Sequence, residues 1–242
     1  LWAAAAALIA WCGRVLRKNP DDRRVPLMAV LGAFVFAAQM INFSIPATGS
    51  SGHLCGGLLL AILLGPHAAF LVIVSILAVQ AFFFMDGGLL ALGANIINMG
   101  FFPAFVAYPF IFRPLAGRAN QAKRLWPAAI LASIIGLQLG AFNVVLETKA
   151  SDITDLPFTA FILAMQPIHL AIGLVEGLVT AAVVALAARE RPDIIPENQP
   201  LRQTIHGTRK ILAGLLIAAV IIGGALSWFA STHPDGLEWA LA

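Results

Sequence analysis

Long apolar runs separated by short polar loops constrain this 242-residue chain more than any other feature. A helix of about 20 apolar residues crosses the hydrocarbon core of a bilayer. Runs of this kind predict eight membrane spans, at residues 1–16, 25–45, 47–64, 66–85, 88–112, 125–146, 168–188 and 210–230. Only 11% of the residues are charged, against about 25% in a soluble domain. We therefore expect an all-α, polytopic membrane helix bundle with almost no soluble part.

The loop charges predict how these spans are oriented. Loops 14–24, 113–124 and 189–210 are rich in Lys and Arg, whereas the other loops are neutral or acidic. If 47–85 holds two spans that meet at Gly65-Pro66, rather than one long kinked helix, all three basic loops lie on one side. Because Lys and Arg accumulate in cytoplasmic loops, we expect two spans there and an N-terminus outside.

Two further patterns concern how the spans pack. The apolar stretch 153–167 is interrupted by two prolines and lies between two predicted spans. We expect a short helix at the outer interface there, with a re-entrant segment as the alternative. Glycines four residues apart, at 136 and 140 and at 173 and 177, allow helices to approach closely. They could serve packing within the chain or contact with a partner subunit.

Polar, glycine-bearing stretches near the predicted outer ends of spans are the candidates for receiving a ligand. His53 lies in the first of these stretches, at the start of the third span. Its imidazole could bind a metal ion, or it could simply bond to a backbone carbonyl. Asn95 and Asn98 are one turn apart and should face the protein interior, either bonding to a neighbouring helix or contacting a ligand. Asp86, before two glycines, is expected to cap the fifth span.

His169 and Glu176 are seven residues apart and share a face of the seventh span. A carboxylate inside a membrane span suggests a transport or coupling role, although bonding to a neighbouring helix would also explain it. A stand-alone secondary transporter or channel that uses Glu176 as a proton site is therefore one possible function. No phosphate-binding loop, dinucleotide fingerprint or nucleophile elbow occurs in the sequence. We expect no enzyme, no ATP hydrolysis by this chain and no nucleic-acid partner.

Four stretches of the sequence resemble known membrane proteins. The run PATGSSGHLCGGLLLAILLGPHAA, followed by MDGGLLALGANIINMG, resembles the CbiM/NikM family of cobalt and nickel transport subunits. HLAIGLVEGLVTAAVVA looks like the final helix of that family, and THPDGLE is similar to the PDGLE domain of its NikN-type auxiliary component. The resemblance implies a metal-binding membrane core at 1–190, a cytoplasmic linker at 191–209 and a PDGLE-type span with an outer loop at 210–242.

The resemblance also implies a function and a site. The chain would be the substrate-specificity subunit of an energy-coupling-factor importer in the bacterial inner membrane, with a transmembrane scaffold subunit and two cytosolic ATPase subunits as partners. Ni²⁺ or Co²⁺ would be its transported ligand, with no cofactor. In this family nitrogen ligands come from an N-terminal Met-His and from a loop histidine, which His53 matches. This sequence lacks the Met-His start, so we expect the N-terminal end to be incomplete. The PDGLE pattern implies a second helix after the motif, where only LEWALA remains, so we expect the C-terminal end to be incomplete too.

Two residues of the PDGLE-type loop, Asp235 and Glu238, are expected to assist metal loading at the outer face. A vitamin-binding subunit of the same transporter class is an alternative. It would need an apolar pocket with aromatic contacts, whereas the outer stretches here are rich in Gly, Asn and Ser.

Overall fold

A computed structural model of the chain describes residues 1–18, 20–21, 24–45, 50–117, 122–152, 156–190, 208–224 and 228. The elements, in chain order, are α1 (Trp2–Lys18), α2 (Arg24–Gln39), β1 (Phe43–Ile45), β2 (Ser50–Gly52), α3 (Gly57–Leu64), α4 (Pro66–Val79) continued by the π-helix π1 (Gln80–Phe84), α5 (Leu92–Asn95) continued by π2 (Ile96–Phe112) and α6 (Arg113–Ala116), α7 (Ala122–Ala150), α8 (Phe158–Glu190) and α9 (Thr208–Gly224). The two strands form an antiparallel hairpin with Phe43 opposite Gly52.

Several of these helices have the length and composition of membrane spans. Among the described residues, four are long and apolar enough to cross a bilayer: Pro66–Phe84, Leu92–Ala116, Arg124–Ala150 and Phe158–Glu190. Shorter apolar helices occur at Arg24–Gln39 and Ala213–Ile222. The predicted all-α, polytopic membrane bundle is therefore confirmed, while the count of eight spans stays a prediction.

The segment predicted as the third span has a different structure. Its helix, α3, has 8 residues, so it is only about 12 Å long. Residues 50–56 contain β2 and irregular chain, and residues 47–49 lie outside the described ranges. All residues of α3 are buried, because the other helices enclose it. Non-helical backbone at membrane depth is tolerated where protein surrounds it. The predicted break at Gly65-Pro66 is confirmed, since Gly65 has φ 80° between α3 and α4.

The separate helix expected within 153–167 is not formed in the part of this stretch that the structure describes. Helix α8 runs without interruption through Pro167, while residues 153–155 lie outside the described ranges. Beside the proline, the amides of Gln138 on α7 and Gln166 on α8 each donate to the other residue's carbonyl, at 3.0 and 3.4 Å. These bonds join α7 to α8 beside Pro167.

The paired glycines serve packing within the chain. A Cβ atom added to Gly173 would lie 2.8 Å from the Cα of Ile134, and one added to Gly177 would lie 2.5 Å from the Cα of Ile130. One added to Gly140 would lie 2.8 Å from the carbonyl oxygen of Asn98. Helix α7 therefore touches the backbones of α8 and π2 directly, which is possible only where the side chain is a hydrogen atom.

Candidate functional site

A cavity of about 220 Å³ lies at one end of the bundle. Its wall is formed by the chain before α3, the end of α4 and the start of π1, the turn after π1, the start of α5–π2, the second half of α7 and the first half of α8. Most of the described basic residues occupy the opposite end, because α1 ends at Arg17 and Lys18 and α8 has Arg189 in its last turn; Lys149, in the last turn of α7, is an exception. The cavity and most of the described basic residues therefore lie at opposite ends of the helices.

The cavity brings together most of the residues singled out from the sequence. Its lining includes His53, Asp86, Asn95, Asn98 and His169. Glu176 does not line the cavity and lies buried behind Cys55. Asp235 and Glu238 lie outside the described residues. Chain segments up to about 120 residues apart thus contribute polar groups to one concave site.

His53 is half-buried, and its Nδ1 lies 3.1 Å from the carbonyl oxygen of Leu54. In the tautomer that donates from Nδ1, the lone pair of Nε2 is available for a metal ion. Histidine ligands in metal sites commonly donate their second nitrogen to a carbonyl in this way. The carbonyl contact considered as the alternative to metal binding is therefore compatible with it.

The side chains that usually complete a metal site do not surround His53 among the described residues. Within the described ranges, no group of three or more His, Cys, Asp or Glu side chains is placed to hold a metal ion. His169, which also lines the cavity, has its Nδ1 2.8 Å from the carbonyl oxygen of Met165, one turn earlier on α8. A metal ion at His53 would consequently need backbone ligands or ligands from another part of the chain.

Asp86 and Asn95 organise the turn between π1 and α5. The Nδ2 atom of Asn95 donates to the carbonyl of Gly87 at 3.2 Å, and Gly87 adopts φ 70°. The backbone N–H of Asp86 donates to the carbonyl of Gln80 at 3.1 Å, which ends π1. The expectation that Asp86 caps the following helix is wrong, because α5 begins at Leu92 and its N-cap residue is Ala91, with no side-chain cap.

Asn98 belongs to a polar cluster that the sequence did not reveal. Its Nδ2 donates to Glu147 Oε2 at 2.9 Å, and its Oδ1 accepts from Asn143 Nδ2 at 2.7 Å. Asn143 also donates to the second carboxylate oxygen of Glu147. The spacing of Asn143 and Glu147 places them on one face of α7, which was the available signal. Asn98 thus forms the bonds between helices that were one of its two expected roles.

Cys55 is the centre of a second buried cluster. Glu176 Oε2 accepts the backbone N–H of Cys55 at 2.6 Å. Gln39 Nε2 donates to the Cys55 carbonyl at 2.7 Å, and Gln80 Nε2 donates to Gln39 Oε1 at 2.8 Å. The Cys55 thiol donates to the carbonyl of Met99 at 3.3 Å. We call Cys55, Glu176, Gln39 and Gln80 the Cys55 network; sequence reasoning missed both glutamines, whose signal was their position inside apolar runs.

The first turn of α1 lies beside the cavity wall. The indole Nε1 of Trp2 donates to the carbonyl of Leu90 at 3.3 Å. A Cβ atom added to Gly93 would lie 2.9 Å from the backbone nitrogen of Trp2. Since Leu92 and Asn95, on the same short helix as Gly93, line the cavity, the amino end of α1 adjoins the site.

Comparison with known proteins places these features among metal transporters. The family model CbiM, described as a cobalt uptake substrate-specific transmembrane region, matches residues 1–194, and the PDGLE domain model matches residues 209–242. The putative fused nickel transport protein NikMN of Archaeoglobus fulgidus is 37% identical over 190 residues, which are 78% of this chain and 62% of that relative. The cobalt transport protein CbiM of Sorangium cellulosum is 34% identical, over 83% of this chain and 90% of its own.

A solved structure has the same architecture. The crystal structure of a truncated transition metal transporter superimposes with a TM-score of 0.67 at 31% identity, covering 77% of this chain and 91% of that one.

Proposed function

Because the chain belongs to the CbiM family of cobalt-uptake membrane proteins, we propose that it captures Ni²⁺ or Co²⁺ at the outer face of the bacterial inner membrane. It would be the substrate-specificity subunit of an energy-coupling-factor importer. The observation that carries the proposal is the position of His53, which lines, with several other polar residues, a cavity at the end of the bundle opposite most of the described basic residues. By the positive-inside rule, that end faces outward.

The remaining ligands in this proposal are an N-terminal Met-His segment that precedes Leu1. Its support is the contact of Trp2 with Gly93, which leads any preceding residues to the wall of the cavity. An amine and imidazole set of nitrogen ligands suits Ni²⁺ and also accepts Co²⁺. The ion is the transported substrate, and the role of the chain is transport rather than catalysis.

The energy for uptake would come from partners: a transmembrane scaffold subunit and two cytosolic ATPase subunits. The test is uptake of ⁶³Ni²⁺ and ⁵⁷Co²⁺ by vesicles that contain this chain with or without those partners and internal ATP. We expect rapid accumulation only with partners and ATP together. Accumulation without them, driven by an imposed proton gradient, would instead establish a secondary transporter that uses Glu176.

The PDGLE-type loop provides a separate prediction. If Asp235 and Glu238 attract the ion towards the cavity, Asp235→Ala should lower the initial rate of ⁶³Ni²⁺ uptake severalfold at limiting nickel, and less at saturating nickel. Glu190→Ala, which removes an exposed carboxylate at the opposite end of α8, is the matched control and should leave the rate unchanged. Equal rates for Asp235→Ala and the unaltered chain would remove the loading role.

A further inference from the structure

We infer that Glu176 positions the metal-binding loop: by accepting the backbone N–H of Cys55, its carboxylate fixes the location of His53. This inference rests on the proposed function, because it concerns the same site. Glu176 neither lines the cavity nor touches the imidazole in the described contacts, so its effect on a bound ion would pass through the backbone between residues 53 and 55.

Both the backbone N–H and the backbone carbonyl of Cys55 are hydrogen-bonded to side chains of other helices. Its N–H is bound by Glu176 from α8, and its carbonyl is bound by Gln39 from α2. Gln39 is itself fixed by Gln80 at the start of π1, and the thiol of Cys55 bonds to π2. Four helices therefore determine the position of one residue, which follows His53 by only two positions.

The local structure explains why the protein supplies a carboxylate at this point. The first N–H groups of a helix have no partners inside the helix, and α3 is buried along its whole length. Its N-cap residue, Gly56, has φ 73° and offers no side-chain acceptor. Glu176 accepts the N–H of Cys55, the residue just before the N-cap, and its carboxylate also interacts with the backbone N–H of Gly56, the N-cap itself. A carboxylate at this position interacts favourably with the positive end of the helix dipole.

The environment of Glu176 shows that this placement has a cost. The residue is 1% exposed; the backbone N–H groups of Cys55 and Gly56 stabilise its carboxylate, but Oε1 has no hydrogen bond of normal geometry among the described residues. A buried polar atom without a partner is unfavourable by about 1–3 kcal/mol. Metal sites, however, require their ligands within about 0.5 Å of the productive position. The role of Glu176 in holding the His53 loop in place explains why the protein contains this unfavourable buried group.

The test compares the Ni²⁺ affinity of four proteins, each prepared with the complete N-terminal segment and titrated with NiCl₂ against a competing chelator. Glu176→Leu removes the acceptor at similar size and should weaken Ni²⁺ binding by about 10- to 100-fold, as loss of a group that orients a ligand does. Glu176→Gln keeps an oxygen that can accept the Cys55 N–H and should stay within about threefold of the unaltered protein. Ser133→Ala, which removes another buried polar group without a described partner, should have no effect.

The outcomes separate this inference from the proposed function. Glu176→Leu should also alter the ligand-field absorption of bound Ni²⁺, which a change in overall stability alone would not do. Unchanged affinity in Glu176→Leu, together with lost binding in His53→Ala, would overturn the inference and leave the function intact. Equal losses in Glu176→Gln and Glu176→Leu would also overturn it, in favour of a role for the charge itself. If the unaltered protein binds no Ni²⁺, both the proposed function and this inference are wrong.

A second variant covers the case in which Glu176→Leu does not fold. Gln39→Leu removes the bond to the Cys55 carbonyl from the other side of the loop. It should weaken Ni²⁺ binding in the same range and change the same absorption bands. Normal affinity and spectrum in Gln39→Leu would contradict the idea that the position of Cys55 governs the site.

Discussion

Replacing His53 with alanine is expected to abolish tight metal binding. The imidazole is the one predicted metal ligand within the described residues, and its Nε2 is available when Nδ1 bonds to the Leu54 carbonyl. Loss of a direct ligand should cost at least as much as loss of a group that orients one, which is about 10- to 100-fold in affinity. Metal content, measured by mass spectrometry on protein purified with its complete N-terminus, should fall from near one ion per chain to background.

His67→Ala is the matched control for this prediction. His67 lies at the other end of the bundle, where its ring packs 4.8 Å from that of Trp11 and 5.5 Å from that of Phe105. Its substitution removes the same chemical group without touching the cavity lining, so nickel and cobalt content should be retained. If His53→Ala and the unaltered protein carry equal amounts of either metal, the proposed site is wrong.

Gly177→Leu is expected to prevent stable packing of α7 against α8. A single added Cβ at this position would already lie 2.5 Å from the Cα of Ile130, and a backbone atom cannot move aside as a flexible side chain can. Overpacking in a well-ordered core costs about 1–3 kcal/mol, occasionally more, and we expect the upper end or beyond. Because Cys12 and Cys55 are both buried, thermal unfolding in detergent can be followed by their reaction with a fluorogenic thiol dye.

The control for this experiment is Gly214→Leu. An added Cβ at Gly214 would meet nothing within 4 Å, so the same change in size should leave the unfolding temperature nearly unchanged. The Gly177 variant should either unfold at a much lower temperature or fail to give a monodisperse protein. Similar unfolding temperatures for the two variants would show that α7 and α8 do not approach as closely as described.

The sequence predicted the class of fold more accurately than it predicted where the individual helices begin and end. Apolar runs predict helices reliably because a bilayer leaves few alternatives, and α7 and α8 lie where such runs occur. Apolar content cannot distinguish a helix in contact with lipid from one enclosed by protein. The run GLLLAILL therefore suggested a full span, although it forms the short, buried helix α3. Likewise, two prolines suggested a boundary near residue 167, but α8 runs from Phe158 through Pro167 to Glu190.

For the candidate site, individual residues could be predicted but their partners could not. His53, Asn95, Asn98 and His169 were identified by residue type and position, and the cavity contains all four. Asn143 and Glu147 bond to Asn98 from more than 40 residues away, and no local pattern encodes that pairing. Gln39 and Gln80 are polar residues within apolar runs, and their shared target, the backbone of Cys55, becomes apparent only once the helices are assembled.

The convergence of several helices on Cys55 also makes the affinity for an ion dependent on how those helices are arranged. Glu176 and Gln39 reach the same residue from α8 and α2, so a sliding movement between these helices must break at least one of the two bonds. By thermodynamic reciprocity, an ion that requires an ordered His53 loop stabilises the arrangement in which both bonds exist. Capture would then lock the helices together, and any partner that drives them apart would release the ion in the same motion.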